Sequence, residues 1–351
     1  MSIQNVMTEP KAVLNSDFTA VPKVVQEEFL SHQIMNFDCH SSSFIETSPG
    51  QYCAVWKGGP GVGQSNKTID RNVGVWMTVY DGVWSTPVEI VSAPDSICWN
   101  PILCQLPSKE LLLFYRVGSD PRSCLSFIKR SNDDGRHWSK EEMLPAGIIG
   151  PTKNKPIVTS NGTIICPSSR EVGNPLADHK ATSCWIEISE DGGRKWQGIG
   201  PLALPDRPFG VIEPALFYDR EGCLRMLCRD RANRIGGIGY LWMSISRDGG
   251  HHWSELQKTE LPNPDSGIDV VDFGKGKIAL IYNHSHTDRY PLNLAISEDG
   301  GDHWLDPIVI AETGEFPSAV LAKDGLVHIT YAAKADGEQR RIKHMVVQVP
   351  N

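Results

Sequence analysis

The stretch SEDGGRKW, Ser189–Trp196, decides the fold of this chain because it recurs. Near-copies stand at Ser131–Trp138 (SNDDGRHW), Ser246–Trp253 (SRDGGHHW) and Ser297–Trp304 (SEDGGDHW). Their aspartates, Asp133, Asp191, Asp248 and Asp299, are 51 to 58 residues apart. Repeats on this scale mark a solenoid or a propeller, in which each repeat is one supersecondary unit. An alternating or apolar run leads into three of the phrases: ATSCWIEI (181–188), GYLWMSI (239–245) and LNLAI (292–296). The phrase therefore reads as a hairpin turn. Its aspartate accepts backbone N–H groups, its glycine supplies a positive φ, and its tryptophan packs beneath.

A shortened fifth copy, VWMTVYDGVWSTP (75–87), keeps Asp81, Gly82 and Trp84. Beyond the last full phrase, PSAVLAKDGLVHITYAA (317–333) and RRIKHMVVQV (340–349) supply strands for a sixth unit that has no phrase of its own. Six units of four strands predict an all-β, six-bladed β-propeller in which one terminus completes a blade begun by the other. The propeller is expected to span residues 34–351, and residues 1–33, which lack repeat character, are set apart as an N-terminal arm.

Composition narrows the function classes. The chain has 351 residues, and a net charge of −8 gives it no broad basic surface for nucleic acid or anionic membrane. The start of the sequence has no apolar core after a basic segment, and no later run approaches the ~18 apolar residues of a membrane span. A cytoplasmic location is the resulting expectation. Nine cysteines are odd in number and show no CxxC or Cys/His zinc spacing, which favours reduced buried thiols. No metal site and no cofactor is predicted.

The repeated phrase resembles the Asp-box, or BNR repeat, of the sialidase-like superfamily, and the resemblance spans about residues 36–348. It implies that the boxes lie on outer turns and that chemistry comes from the starts of the blades, around the axis. Sialidases carry there an arginine triad that grips a carboxylate, a tyrosine nucleophile paired with a glutamate, and an acid/base aspartate. IEPALFYDREGCLRMLCRDR (212–231) resembles the stretch that holds the glutamate and the second arginine, which places them at Glu213 and Arg229. HTDRYPLNLAISEDGG (286–301) places the third at Arg289. Two arginines from different blades would hold a carboxylate by bidentate hydrogen bonds, implying an acidic oligosaccharide or glycoconjugate as partner.

The departures matter as much. Where the first arginine is expected the chain reads NFDCHSSSFIE (36–46), with Cys39 and His40 near the position. Where the tyrosine is expected it reads EFPSAVLAKDG (315–325), with Phe316 in its place. The acid/base position falls on Asn72, with Asp70 the nearby carboxylate. The phrasing further resembles a divergent, exo-sialidase-like branch with CHSS, WNP, NKP, CPSS and YNH at blade starts, here Cys39–Ser42, Trp99–Pro101, Asn154–Pro156, Cys166–Ser169 and Tyr282–His284. Among these, His40 and His284 are candidate acid/base groups, Lys155 and Arg170 candidate anion binders, and Trp99 and Asn100 candidate sugar contacts.

Three functions stay open on the sequence. An exo-acting glycoside hydrolase would remove a terminal acidic sugar by direct attack of water, with Glu213 or Asp70 as base and inversion as the outcome. A polysaccharide lyase would take the proton next to a uronate carboxylate with His40 or His284, while Arg229 and Arg289 neutralise that carboxylate. A non-catalytic propeller would only bind glycans.

Overall fold

The computed structural model describes residues 21–30, 35, 37–60, 72–173, 181–205, 207, 209–334 and 339–350. They form six four-stranded antiparallel sheets arranged as a β-propeller. The first blade runs Cys39–Ser48, Gln51–Gly58, Gly74–Asp81 and Val88–Val91 from the axis outward. The inner strands of the next four are Cys98–Gln105, Ile157–Val158, Val211–Tyr218 and Asp269–Asp272. The sixth blade is built from Glu315–Leu321, Val327–Lys334 and Arg340–Gln348, with Lys23–Phe29 as its outermost strand. Lys23–Phe29 comes from the segment that the sequence set apart as an arm. It pairs Lys23 with Gln348 through Phe29 with Lys343, so the first and last described strands close the ring.

Every blade is covered on both faces, which explains its continuous apolar runs. In the second strand of blade two, Leu111, Leu113 and Tyr115 join the core shared with blade one, while Leu112 and Phe114 join the core shared with blade three. The same alternation gives six apolar clusters, one at each interface between neighbouring blades. All nine cysteines carry free thiols, and seven of them are buried.

The repeated phrase turns each of blades two to five from its third strand into its fourth. The box serine accepts the N–H of the box glycine: Ser131 from Gly135 (3.0 Å), Ser189 from Gly193 (2.9 Å), Ser246 from Gly250 (2.9 Å) and Ser297 from Gly301 (2.8 Å). Each box aspartate accepts the N–H four residues on, as Asp299 does from His303 at 2.9 Å. The glycines have positive φ and face the preceding blade. A Cβ built on Gly301 would lie 3.0 Å from Phe217 of blade four, and one on Gly135 would lie 3.5 Å from Cys53 of blade one. The boxes therefore tie blade to blade. They follow the ends of third strands, at the face opposite the starts of the inner strands.

The boxes make part of the stability pH-dependent. The backbone N–H and ring of His137, with the hydroxyl of Ser131, lower Asp133 to about 2. This folded-state value lies below the ordinary one, so the stabilisation is complete above about pH 4 and disappears as pH falls through about 2. Asp133→Asn should melt below the parent protein at pH 7, with the gap closing as pH approaches 2. Thermal melts followed by circular dichroism across that range check this, and a gap that persists at pH 2 would contradict it.

Candidate active site at the propeller axis

The starts of the inner strands share an unusual backbone. Ser41, Asn100, Glu213 and Phe316 have φ of 52°, 36°, 53° and 54°, the left-handed region that non-glycine residues rarely occupy. At each the ladder with the second strand skips: between His40 and Ser43, Trp99 and Ile102, Ile212 and Ala215, and Glu315 and Ser318. Such bulges re-aim side chains and cluster at functional sites. Three of the four precede a proline, Pro101, Pro214 or Pro317, which cannot donate to the ladder. All four line one cavity of about 510 Å³ at the axis.

Cations dominate its walls: Lys57, Arg116, Arg229, Arg231, Arg234, Arg289 and Arg340. Two acidic hubs hold five of them. Asp265 accepts from Arg229 Nε (2.9 Å) and Arg234 Nε (2.7 Å), with Arg231 at 3.6 Å. Although burial works against it, Arg229, Arg231 and Arg234 keep its carboxyl below the usual carboxylate range. Arg231 also donates to Glu171 (2.6 Å), and Arg229 reaches Glu213 Oε2 at 2.5 Å. The second hub, Glu315, accepts from Arg289 (3.1 Å) and Arg340 (3.2 Å) and faces His40 Nε2 at 3.3 Å. Burial opposes its ionisation, but His40, Arg289 and Arg340 hold it well below the usual range.

His40 is buried, and burial, against the pull of Glu315, pushes its imidazole down to about 4. At neutral pH it carries a single ring proton. An ionised Glu315 can only accept, so Nε2–H donates to it and the Nδ1 lone pair accepts the Ser41 hydroxyl at 2.7 Å. The result is a neutral base reached from the cavity through Ser41. Phe316 packs against His40 with ring centroids 4.4 Å apart and planes tilted by 58°, and the guanidinium groups of Arg229 and Arg289 lie 5.3 and 5.6 Å from its ring. It fills the place of the expected nucleophile and offers no hydroxyl.

Of the residues named from sequence, His40, Trp99, Asn100, Glu213, Arg229 and Arg289 come together in this cavity. Trp99 Nε1 donates to Gly118 O (2.8 Å) and Asn100 Nδ2 to Thr152 O (2.7 Å), which fixes both side chains. Three lie elsewhere. Lys155 does not face the cavity, because Asp269 (2.8 Å) and Ser318 (2.9 Å) across the axis engage its ammonium. Arg170 lies on the Trp185 ring at 3.7 Å and donates to Gly147 O. His284 is an exposed partner of the Tyr282 hydroxyl. Asp70 lies outside the described residues.

Sequence reading missed Lys57, Arg116, Arg340, Asp265 and Glu315, and with them Glu171, Arg231 and Arg234. For the first two a signal exists. A cation stands near the end of the second strand at residues 57, 116, 170 and 229, in AVWK, LFYR, PSSR and MLCR, and so recurs at blade spacing. Registers pair Lys57 with His40, Arg116 with Trp99 and Arg229 with Ile212, the residue just before each bulge.

The BNR repeat-like domain family matches residues 50–329, most of the chain. The chain belongs to that family. Among solved structures, this BNR-repeat protein is similar to a Dyadobacter fermentans protein described as of unknown function (16% identity, TM-score 0.74, covering 94% of this chain and 99% of that one). It is similar also to the NanB sialidase of Streptococcus pneumoniae (11%, 0.68, 93% and 70%) and to a leech intramolecular trans-sialidase (10%, 0.69, 93% and 70%). At these identities the likeness establishes the sialidase-like propeller fold and nothing finer. No curated protein matches the chain. Among the described residues no helix is long and apolar enough to cross a membrane, and no cluster of His, Cys, Asp or Glu is arranged to hold a metal ion.

The buried imidazole gives a direct check on the site. The His40 ring proton resonances should stay at their neutral positions from pH 8 to 5 and move with a midpoint near 4. Glu315→Gln removes the attraction that supports the charged form, so its midpoint should fall lower still. A parent midpoint close to the ordinary 6.5 in an NMR titration would contradict the arrangement.

Proposed function

We propose that this BNR-repeat protein is an exo-acting glycoside hydrolase that removes a terminal acidic sugar from a glycan without a covalent tyrosine adduct. The observation that carries the reading is the axial cavity, where Arg229 and Arg289 flank Phe316 and the Glu213 carboxylate stands beside them. A carboxylate-bearing sugar is the ligand such a cavity favours electrostatically, since two guanidinium groups from different blades can meet one carboxylate.

With phenylalanine at the tyrosine position the nucleophile has to be water. Glu213 binds Arg229 through Oε2 only, so Oε1 is left to orient that water and take its proton. The leaving oxygen needs a proton from a second group. One displacement by water inverts the anomeric centre.

A second reading, β-elimination from a uronate, is favoured by His40. Its neutral imidazole shares Glu315 with Arg289 and Arg340, which places a base beside cations able to hold the carboxylate. Elimination removes the proton on the carbon bearing that carboxylate, so base and clamp must be neighbours. Ser41 would pass the proton to Nδ1.

The purified protein offered sialyl- and uronate-terminated oligosaccharides should release a product heavier by one water, seen by mass spectrometry, with the inverted anomer appearing first by NMR. Glu213→Gln should lower kcat by about a hundredfold or more, while His40→Ala costs much less. A product with no added water, absorbing in the ultraviolet and abolished by His40→Ala, would establish elimination instead. Intact substrates throughout would overturn both.

A further inference from the structure

Five of the seven cavity cations are balanced by Glu171, Glu213, Asp265, Glu315 and Asp38, the last of which reaches Arg340 at 3.4 Å. The remaining two are Lys57 and Arg116. Neither side chain has a hydrogen bond or ion pair to any described residue, and Arg116 Nε is buried with no partner in a residue only 8% exposed. Asp120, which also lines the cavity, has its carboxylate taken by Arg122 at 2.6 Å through both oxygens.

Holding a buried Arg116 and a half-buried Lys57 near each other with no direct ion pair is costly, although Glu213 and Glu315 attract Lys57 from a distance. The pair has no structural task that explains it, since no described carboxylate uses either residue as a tie. It stands at the ends of the second strands of blades one and two, whereas Arg229 and Arg289 enter from blades four and five. The Trp99 ring lies against it, with Lys57 Nζ 4.9 Å from the ring centroid and Arg116 directly across the ladder. A planar apolar surface beside two free cations suits a charged sugar: the ring stacks while its anionic substituent meets the cations.

We propose that Lys57 and Arg116 form a second anion subsite beside Trp99, so that the glycan this cavity takes carries two acidic groups, one held from blades four and five and the other, a sulfate ester or a second carboxylate, from blades one and two. The inference rests on the glycan reading given above and narrows its substrate class. Burial, then the nearby Arg340, already pushes the Lys57 ammonium down to about 8, and a bound anion would move it back up.

Binding of matched pairs tests this by calorimetry: sialic acid against α2,8-linked disialate, and an unsulfated uronate disaccharide against its sulfated counterpart. The doubly charged member of at least one pair should bind about tenfold or more tightly, and which pair responds identifies the second group. Lys57→Gln and Arg116→Gln should each erase that preference, and each should weaken the doubly charged ligand more than the singly charged one. Their melting temperatures should equal or exceed the parent's, because neither substitution breaks an ion pair and each relieves repulsion between the two cations; a fall of several degrees in both would mark the pair as structural and overturn the subsite. Equal affinities within both pairs, or a preference that survives both substitutions, would overturn it as well. If neither member of either pair binds, the glycan reading fails. The subsite is then judged by soaking crystals in selenate: anomalous density between Lys57 and Arg116, absent from Arg116→Gln, upholds an anion site, and its absence rejects it.

Discussion

A strand that simply alternated would send successive side chains to its two neighbouring blades and none toward the axis. The left-handed turn at the start of the inner strand breaks that rule. It inserts one residue out of register, and at Ser41, Asn100, Glu213 and Phe316 the inserted residue faces the cavity instead of a blade interface. Each such turn strains a non-glycine backbone, and the continuous ladders on either side hold it in place. The rigid part of each blade thereby supports the polar part, and the site inherits its geometry from the fold rather than from mobile loops.

What surrounds those turns is mainly charge. Asp265 and Glu315 each serve several arginines, so the guanidinium groups are fixed relative to one another before any ligand arrives. Preorganisation of this kind concentrates positive potential in a protein whose overall charge is negative, and it does so at one end of one axis. Lower along that axis, Lys153 and Lys155 cross from blade three to the backbone of Ile268 and Pro317 and to Asp269 and Ser318, tying together blades that are not neighbours. Burial pushes Lys153 down to about 8.

The fold was legible because its signal is repeated. Four boxes at blade spacing, each needing serine, aspartate and glycine for its own local hydrogen bonds, leave little choice of architecture. The site was legible only where a motif carried it. Glu213, Arg229 and Arg289 sit in phrases that resemble those of sialidases, and Trp99, Asn100 and His40 sit at bulges next to small or rigid residues. Lys155 looked equivalent because it too precedes a proline, yet blade three starts with a two-residue inner strand and its lysine reaches across the channel. Arg170 occupies the same strand position as Arg116, but the Trp185 ring captures its side chain. Asp265 and Glu315 passed unnoticed because their importance lies in how many arginines they collect, which is a property of the closed ring and not of any short stretch.

The closing strand carries a consequence for how the molecule is assembled. Lys23–Phe29 is synthesised before every other strand of the propeller, but its partner, Arg340–Gln348, is among the last. During synthesis it has no ladder to join, and blade six cannot be completed until the other five blades have emerged. Joining segments this far apart in sequence carries a large chain-entropy cost, which the five preceding blades lower by bringing the ends close. Meanwhile the unpaired strand, KVVQEEF, is charged enough to discourage pairing with another chain. Once in place, Glu27 is bound by Tyr331 and Lys343, and Glu28 by Trp84 and His344, so the seam is latched by polar contacts to blades six and one. Completion of the ring is thus a late event, and a nascent chain interrupted before it would expose the flank of blade six as an open edge.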